Sequence, residues 1–153
     1  MTFEEKLVNQ EYDRIWQEYC GFLDLDMDSY MKIQKRLLAE QMRLWCSSPI
    51  GKKILKGRNP ATVEEFRSMV PLTTYDDYAD VLLLKKEDML PEKPIIWIQT
   101  TWEGGKHPIK VAPYTSGMLE TFKNNIITCL MMATSKGRGS FDIDIGDTFL
   151  YGL

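Results

Sequence analysis

Apolar residues in the first part of the chain recur at helical spacing, which predicts a helical region over residues 1–90. Thr2 with Glu5 forms a capping box, which is a typical start of a helix. A second amphipathic helix is predicted to start at Asp28 or Ser29 and to stop before the proline at position 49. Later helix-start signals of the same kind are Thr62 with Glu65 and Thr74 with Asp77.

The period of the apolar pattern changes after residue 91. Residues 95–98 are a short continuous apolar run, which predicts a strand covered on both faces. Residues 109–113 predict a returning strand, and Thr115 or Ser116 then begins a helix that ends near position 135. The alternation that follows is typical of a half-buried strand and pairs Phe141, Ile143 and Ile145 with Asp142, Asp144 and Asp147.

Together these elements predict an α/β or α+β fold, with N-terminal helices followed by a mixed β-sheet and packed helices. The strands are expected at residues 94–101, 109–113 and 141–151. We expect residues 1–153 to form a single N-terminal subdomain whose second part, residues 91–153, runs strand–loop–strand–helix–strand.

The last predicted strand, at residues 149–151, ends two residues before the end of the sequence. No helix follows it to cover its apolar face, and an uncovered strand edge is a liability in a natural domain. We therefore expect the sequence to be the beginning of a longer, truncated protein. The alternative is that this strand simply pairs inside the sheet.

Charge and composition exclude several classes of protein. With 153 residues, 44% hydrophobic and 27% charged, the chain is expected to be globular. A net charge of −3 argues against a general nucleic-acid binder, because phosphate neutralisation needs a dense basic face. A single basic cluster is present, and we interpret it as solvated surface. Its members are Lys52, Lys53, Lys56 and Arg58.

Cysteine usage and the termini favour a cytoplasmic location. Cys20, Cys46 and Cys129 are odd in number and far apart, so we expect buried thiols and neither disulfides nor a zinc site. The N-terminus has no basic start followed by an apolar core. The longest apolar stretch, residues 126–133, is too short to span a membrane, and no membrane partner is predicted.

Three motifs with known chemistry are incomplete. The acidic run at residues 24–28 begins like a calcium loop, but Ser29 and Lys35 stand where the turn glycine and the bidentate glutamate are needed. A Walker loop fails because Thr100 and His107 occupy the positions of its first glycine and its magnesium-binding hydroxyl. His107 has no neighbouring nucleophile signature, so we predict no catalytic residue. Asp142, Asp144 and Asp147 could hold a divalent ion, but alternating aspartates on the wet face of a strand need no ligand to explain them, so we predict no metal site.

The strongest candidate site is the segment at residues 99–110, which connects two predicted strands. Paired hydroxyls, paired glycines and two lysines in a short connection suit a loop that wraps around a polyphosphate. The alternative is an ordinary hairpin connection in which glycine supplies positive φ. The predicted phosphate-binding residues are Thr100, Thr101, Gly104, Gly105, Lys106 and Lys110.

Two blocks of sequence resemble adenylate-forming enzymes, nearest to the acyl-acid amido synthetases of plant auxin conjugation and to phenylacetate-CoA ligase. One block is residues 70–78, where a Val-Pro step enters a Tyr-Asp-Asp-Tyr helix. The other is residues 100–115, which is similar to the hairpin loop of that family and ends in Pro-Tyr-Thr. The resemblance extends over about residues 40–135.

The loop departs from the family pattern at three positions. Trp102 replaces a glycine of the pattern, and Glu103 and Gly104 replace two hydroxyl residues. A carboxylate at Glu103 repels phosphate oxygens, and the indole of Trp102 obstructs close approach of the backbone. The family loop is therefore predicted in a degenerate form.

The resemblance implies a reaction. Family members use ATP and Mg²⁺ to convert a carboxylic acid to an acyl adenylate, and then transfer the acyl group to an amine or to CoA. It implies that this chain is the N-terminal part of the large domain of such a ligase and is inactive alone, because the remaining nucleotide-binding residues lie in later sequence. The alternative is a catalytically inert binding or accessory module that retains the fold.

Overall fold

A computed structural model describes residues 1–101 and 106–148. A helical N-terminal part is followed by a strand–loop–strand–helix sequence, which confirms the predicted fold class. The helices are α1 (Phe3–Val8), α2 (Tyr12–Cys20), α3 (Met27–Ser47), α4 (Pro49–Leu55), α5 (Val63–Met69), α6 (Ala79–Leu82) and α7 (Ser116–Thr134), and the strands are β1 (Ile96–Thr101) and β2 (Ile109–Tyr114). Short 3₁₀ helices lie at Gly21–Asp24, Tyr75–Asp77 and Glu87–Met89.

The first helix begins as predicted, with both hydrogen bonds of the Thr2–Glu5 capping box. It ends earlier than the apolar stripe indicates, because Gln10 adopts φ = 56° and closes a Schellman motif. In that motif the Gln10 N–H donates to Leu7 O at 2.9 Å, and the Glu11 N–H donates to Lys6 O at 2.9 Å. Asparagine or glycine usually marks such a helix end, so glutamine concealed the break in the sequence.

The second predicted helix is α3, but its cap differs from the prediction. The Asp26 carboxylate accepts the Ser29 N–H at 2.7 Å, so Asp26 caps the helix in place of Asp28 or Ser29. This backbone hydrogen bond lowers the pKa of Asp26. The predicted stop before position 49 is confirmed, and Ser48 there caps α4 by accepting the Gly51 N–H at 3.0 Å.

The β-hairpin is antiparallel, and its paired residues run from Ile96 opposite Tyr114 to Thr101 opposite Ile109. The prediction that the apolar run at 95–98 is covered on both faces is wrong, since Ile95 and Ile96 are 62% and 44% exposed. The continuous apolar run correctly predicted a strand, but it did not show which face of that strand is covered.

The strand predicted over residues 141–147 is also wrong, because residues 141–148 contain no strand. Here the Asp144 N–H donates to Asp147 Oδ2 at 2.9 Å, and Gly146 has φ = 96°, which makes a turn. The alternating apolar residues Phe141 and Ile143 pack on a helical core instead. The strand predicted at 149–151 lies outside the described residues.

The chain divides into two compact units. The first consists of residues 1–30 and 120–153, and the second of residues 31–119. The core of the first unit comprises Leu7, Ile15, Trp16, Tyr19, Cys20 and Met131. The buried apolar residues of the second unit are Met42, Cys46, Ile50, Ile54, Leu55, Ala79, Val81 and Val111.

The three cysteines are free thiols, as expected, but only two are buried. Burial raises the pKa of the Cys20 and Cys46 thiols. Cys129 is exposed, so the prediction of a buried thiol is wrong there. The buried face of α7 is centred on Met131, and Cys129 points away from it. Across residues 1–101 and 106–148, none of the helices has both the length and the apolar character needed to cross a bilayer.

Candidate functional site

The predicted phosphate loop connects the two strands of the β-hairpin in sequence. Thr100 and Thr101 end β1, Lys106 follows the loop, and Lys110 lies in β2. The register places Thr100 opposite Lys110, and cross-strand partners project from the same face of a sheet. Gly104 and Gly105 lie outside the described residues, as do Trp102 and Glu103. The fold therefore brings Thr100 and Lys110 together, next to the point where the loop begins.

A tyrosine from the sequence block at residues 70–78 binds the middle of β2. The Tyr75 hydroxyl accepts the Val111 N–H at 2.8 Å and lies 3.1 Å from the Val111 carbonyl oxygen, to which it donates. One hydroxyl can serve both groups because it has one proton and two lone pairs. The Val111 side chain is buried, so leaving these main-chain groups unpaired would be unfavourable. Tyr75 thus fixes the strand that carries Lys110.

The next residue, Asp76, contacts the basic side of the loop. Its Oδ1 lies 2.7 Å from His107 Nε2, and its Oδ2 lies 3.8 Å from Lys106 Nζ. The Lys106 side chain is 75% exposed, so this longer ion pair contributes little to stability. The close His107 contact positions the loop end, and the carboxylate also lowers the positive potential around Lys106.

The ring of Tyr75 is a platform for two of these basic side chains. The His107 ring meets it edge-on, with 5.6 Å between centroids and an interplanar angle of 65°. Lys110 Nζ lies 5.6 Å from the centroid of the same ring, within the range of a cation–π contact. Tyr75 therefore binds β2 through its hydroxyl and orients His107 and Lys110 through its ring.

Local hydrogen bonds determine the shape of the turn that presents Tyr75 and Asp76. The predicted Thr74–Asp77 capping box is present, with the Thr74 N–H donating to Asp77 Oδ2 at 2.7 Å. The Thr73 and Tyr78 hydroxyls lie 2.6 Å apart. The capping box fixes the start of the 3₁₀ helix Tyr75–Asp77, where Tyr75 and Asp76 lie beside the hairpin.

Sequence reasoning identified the two blocks but not the contacts between them. Tyr75, Asp76 and His107 are not among the site residues that the sequence predicts, and the sequence gives His107 neither a catalytic role nor a role in a Walker loop. Tyr75 lies 36 residues before Val111, so no local periodicity could reveal the bond. The available signal was that both blocks carried the same family resemblance.

The donor set of this site suits an anion. It contains the Thr100 hydroxyl and the ammonium groups of Lys106 and Lys110, which are groups that bind phosphate oxygens. Its one carboxylate in the described part of the chain, Asp76, is already shared between His107 and Lys106. Within residues 1–101 and 106–148, no three His, Cys, Asp or Glu residues form a group able to hold a metal ion.

Comparison with known proteins gives the family. The model of the GH3 family N-terminal domain matches residues 20–142, which is about four fifths of the chain. The chain therefore belongs to the GH3 family, an acyl-acid amido synthetase family of the adenylate-forming superfamily. Searches of curated proteins and of solved structures each gave no match. The resemblance drawn from the two sequence blocks is confirmed at this level.

Proposed function

We propose that this chain is the N-terminal part of a ligase that activates a carboxylic acid with ATP and transfers the acyl group to an amine. The observation that carries the proposal is the joining of the two family blocks, through Tyr75 and Val111, in a chain whose family membership is shown. Auxin-responsive amido synthetases are the relatives we propose as nearest, with phenylacetate-CoA ligase and a CoA acceptor as the second choice. A cytoplasmic location is part of the proposal.

In this function the loop acts by positioning charge. Thr100, Thr101, Gly104 and Gly105 would supply hydroxyls and main-chain N–H groups, and the two lysines would supply positive charge to the β and γ phosphates of ATP. The carboxylate of the acid attacks the α phosphorus and displaces pyrophosphate, which gives the acyl adenylate. The nitrogen of the acceptor amine then attacks the acyl carbon, AMP leaves, and the amine proton passes to solvent. Mg²⁺ carried on the nucleotide would share the phosphate charge.

Two carboxylates support a second candidate, an inert accessory module. Glu103 lies within the loop sequence, and Asp76 is already paired with Lys106. Both reduce the positive potential that a triphosphate requires. If they outweigh the lysines, the chain retains the fold of the family and does not bind the nucleotide.

Calorimetric titration with Mg-ATP separates these candidates. We expect saturable binding that Lys110→Ala weakens about tenfold, because each lost charged contact contributes about 1.4 kcal/mol. Glu103→Thr is expected to strengthen binding about tenfold, because it removes like-charge repulsion and restores the hydroxyl of the family pattern. Lys32→Ala, which removes an exposed lysine on α3, is the matched control and should change nothing.

The second candidate predicts a different result. Nucleotide binding would be refuted if neither the original chain nor Glu103→Thr gave a heat of binding. Circular dichroism must show that both proteins are folded. An equal loss of affinity in Lys110→Ala and Lys32→Ala would show that binding reflects general charge and not the loop.

A further inference from the structure

The second compact unit contains a basic pocket that is separate in sequence from the hairpin. The pocket lies between the C-terminal half of α3, α4 and the turn at residues 57–61, and its volume is about 730 Å³. None of its lining residues belongs to β1, β2 or residues 70–78. Pockets of this size commonly hold small molecules.

The charged residues that line the basic pocket are all positive. Arg43, Lys52 and Arg58 line it, and no Asp or Glu is among its lining residues. Arg43 and Lys52 make no ion pair within the described residues, so both charges are available to a ligand. The Arg58 guanidinium donates to the Met69 carbonyl oxygen, which holds its planar group in place and leaves further N–H groups for a ligand.

The structure divides the basic cluster of the sequence into two groups. Lys53 forms an ion pair with Asp80 at 2.6 Å, and Lys56 is the left-handed C-cap of α4 with φ = 52°. Lys53 and Lys56 do not line the pocket. Lys52 and Arg58 do line it, together with Arg43, which lies outside the cluster in sequence. All four residues of the cluster are exposed, in agreement with their interpretation as solvated surface, and two of them also line the pocket.

Apolar residues also line the basic pocket. They include Ala39, Met42, Cys46 and Pro60, of which Met42 and Cys46 are 5% and 8% exposed. Three cations in one pocket suit a dianion, and arginine forks match the geometry of phosphate oxygens. Apolar lining residues suit a hydrocarbon or aromatic group on the same molecule.

We propose that the basic pocket binds a phosphate monoester carried on an apolar body, with Arg43, Lys52 and Arg58 contacting the phosphate and Met42 and Cys46 contacting the apolar group. This site does not depend on nucleotide binding by the hairpin loop. Phosphate monoesters of this kind occur as soluble molecules and as the headgroup of phosphatidic acid.

The test is a titration of the full chain with phenyl phosphate, followed by calorimetry. We expect saturable binding, weakened about tenfold by Lys52→Gln and by Arg43→Gln, because each removes one charged contact. Inorganic phosphate should bind more weakly than phenyl phosphate, because it has no apolar group to cover the apolar lining residues. Co-sedimentation with phosphatidic acid vesicles, lost in Lys52→Gln, would assign the ligand to a lipid, whereas binding of phenyl phosphate alone would assign it to a soluble molecule.

Lys56→Gln is the matched control, because it removes the same charge from the same segment outside the pocket. It should leave the affinity for phenyl phosphate unchanged. Absence of saturable binding to both phenyl phosphate and the vesicles would overturn the proposal. An equal loss of affinity for phenyl phosphate in Lys56→Gln and Lys52→Gln would also overturn the proposal, since it would show general electrostatic attraction and no specific site.

Discussion

Replacing Gly51 with alanine is expected to destabilise the protein by about 3 kcal/mol, the upper part of the range for overpacked sites. Gly51 is buried in the first turn of α4, where it donates to the Ser48 hydroxyl. An added Cβ would lie 1.9 Å from the carbonyl oxygen of Trp45 and 2.8 Å from its carbonyl carbon. These are main-chain atoms at the end of α3, so the corner between α3 and α4 must open to accept a methyl group.

Urea unfolding followed by circular dichroism measures this effect. Gly117→Ala is the matched control, because among the described residues a Cβ there would meet Thr115 Oγ1 alone within 4 Å, at 3.9 Å. Gly117 lies in the first turn of α7, and alanine is the better helix former, so a change within about 1 kcal/mol is expected, in the stabilising direction. Equal stability of Gly51→Ala and the original chain would mean that the corner between α3 and α4 is not packed as described.

Ile15→Ala is expected to lower the free energy of unfolding by about 3 to 4 kcal/mol. Ile15 is fully buried in α2, in the core cluster that includes Trp16 and Met131. Removing its side chain loses apolar burial and leaves a cavity that Met131, also 0% exposed, has little room to fill. For a chain of this length the loss corresponds to a fall in melting temperature of about 10 °C.

Differential scanning calorimetry of Ile15→Ala and Val8→Ala checks this expectation. Val8 is an apolar residue at the end of α1 in the same unit and is 67% exposed. Its truncation should change stability by less than about 0.5 kcal/mol, as is usual for surface positions. Similar losses in the two variants would contradict the placement of Ile15 at the centre of the helical core.

Local signals in the sequence predicted many of the elements. Capping boxes at Thr2 and Thr74 are present, because the side chains that make them are close in sequence and their hydrogen bonds satisfy free N–H groups at helix starts. The break at Gln10 was missed, since a left-handed glutamine leaves no compositional mark. Both strands of the hairpin were predicted correctly, the first from a β-branched apolar run and the second as the strand that returns after the loop.

Alternation of apolar and polar residues gave a wrong prediction at residues 141–147. The same alternation arises when Phe141 and Ile143 pack on a helical core and the intervening aspartates face solvent or close a turn. A two-residue alternation shows which side chains are buried and which are exposed. A strand is one structure that produces this alternation, but it is not the only one.

The candidate site was predictable in part. Thr100 and Lys110 were identified from composition, and their cross-strand pairing follows from the predicted hairpin. The contacts of Tyr75 and Asp76 with the hairpin depend on tertiary packing, which sequence spacing does not encode. Both blocks lie within the residues that the family model matches, and the structure adds the hydrogen bonds between them.

The central claim is that Tyr75 fixes the strand that carries the basic side of the loop. Amide hydrogen exchange at Val111, followed by NMR, tests this claim most directly in the original chain, in Tyr75→Phe and in Tyr78→Phe. We expect a protected Val111 amide that exchanges about ten- to a hundredfold faster in Tyr75→Phe, because a buried N–H loses its partner. Within the described part of the chain, Tyr78→Phe removes the hydroxyl contact with Thr73 alone, and it should leave Val111 protected. An unprotected Val111 amide in the original chain, or equal acceleration in both variants, would contradict the claim.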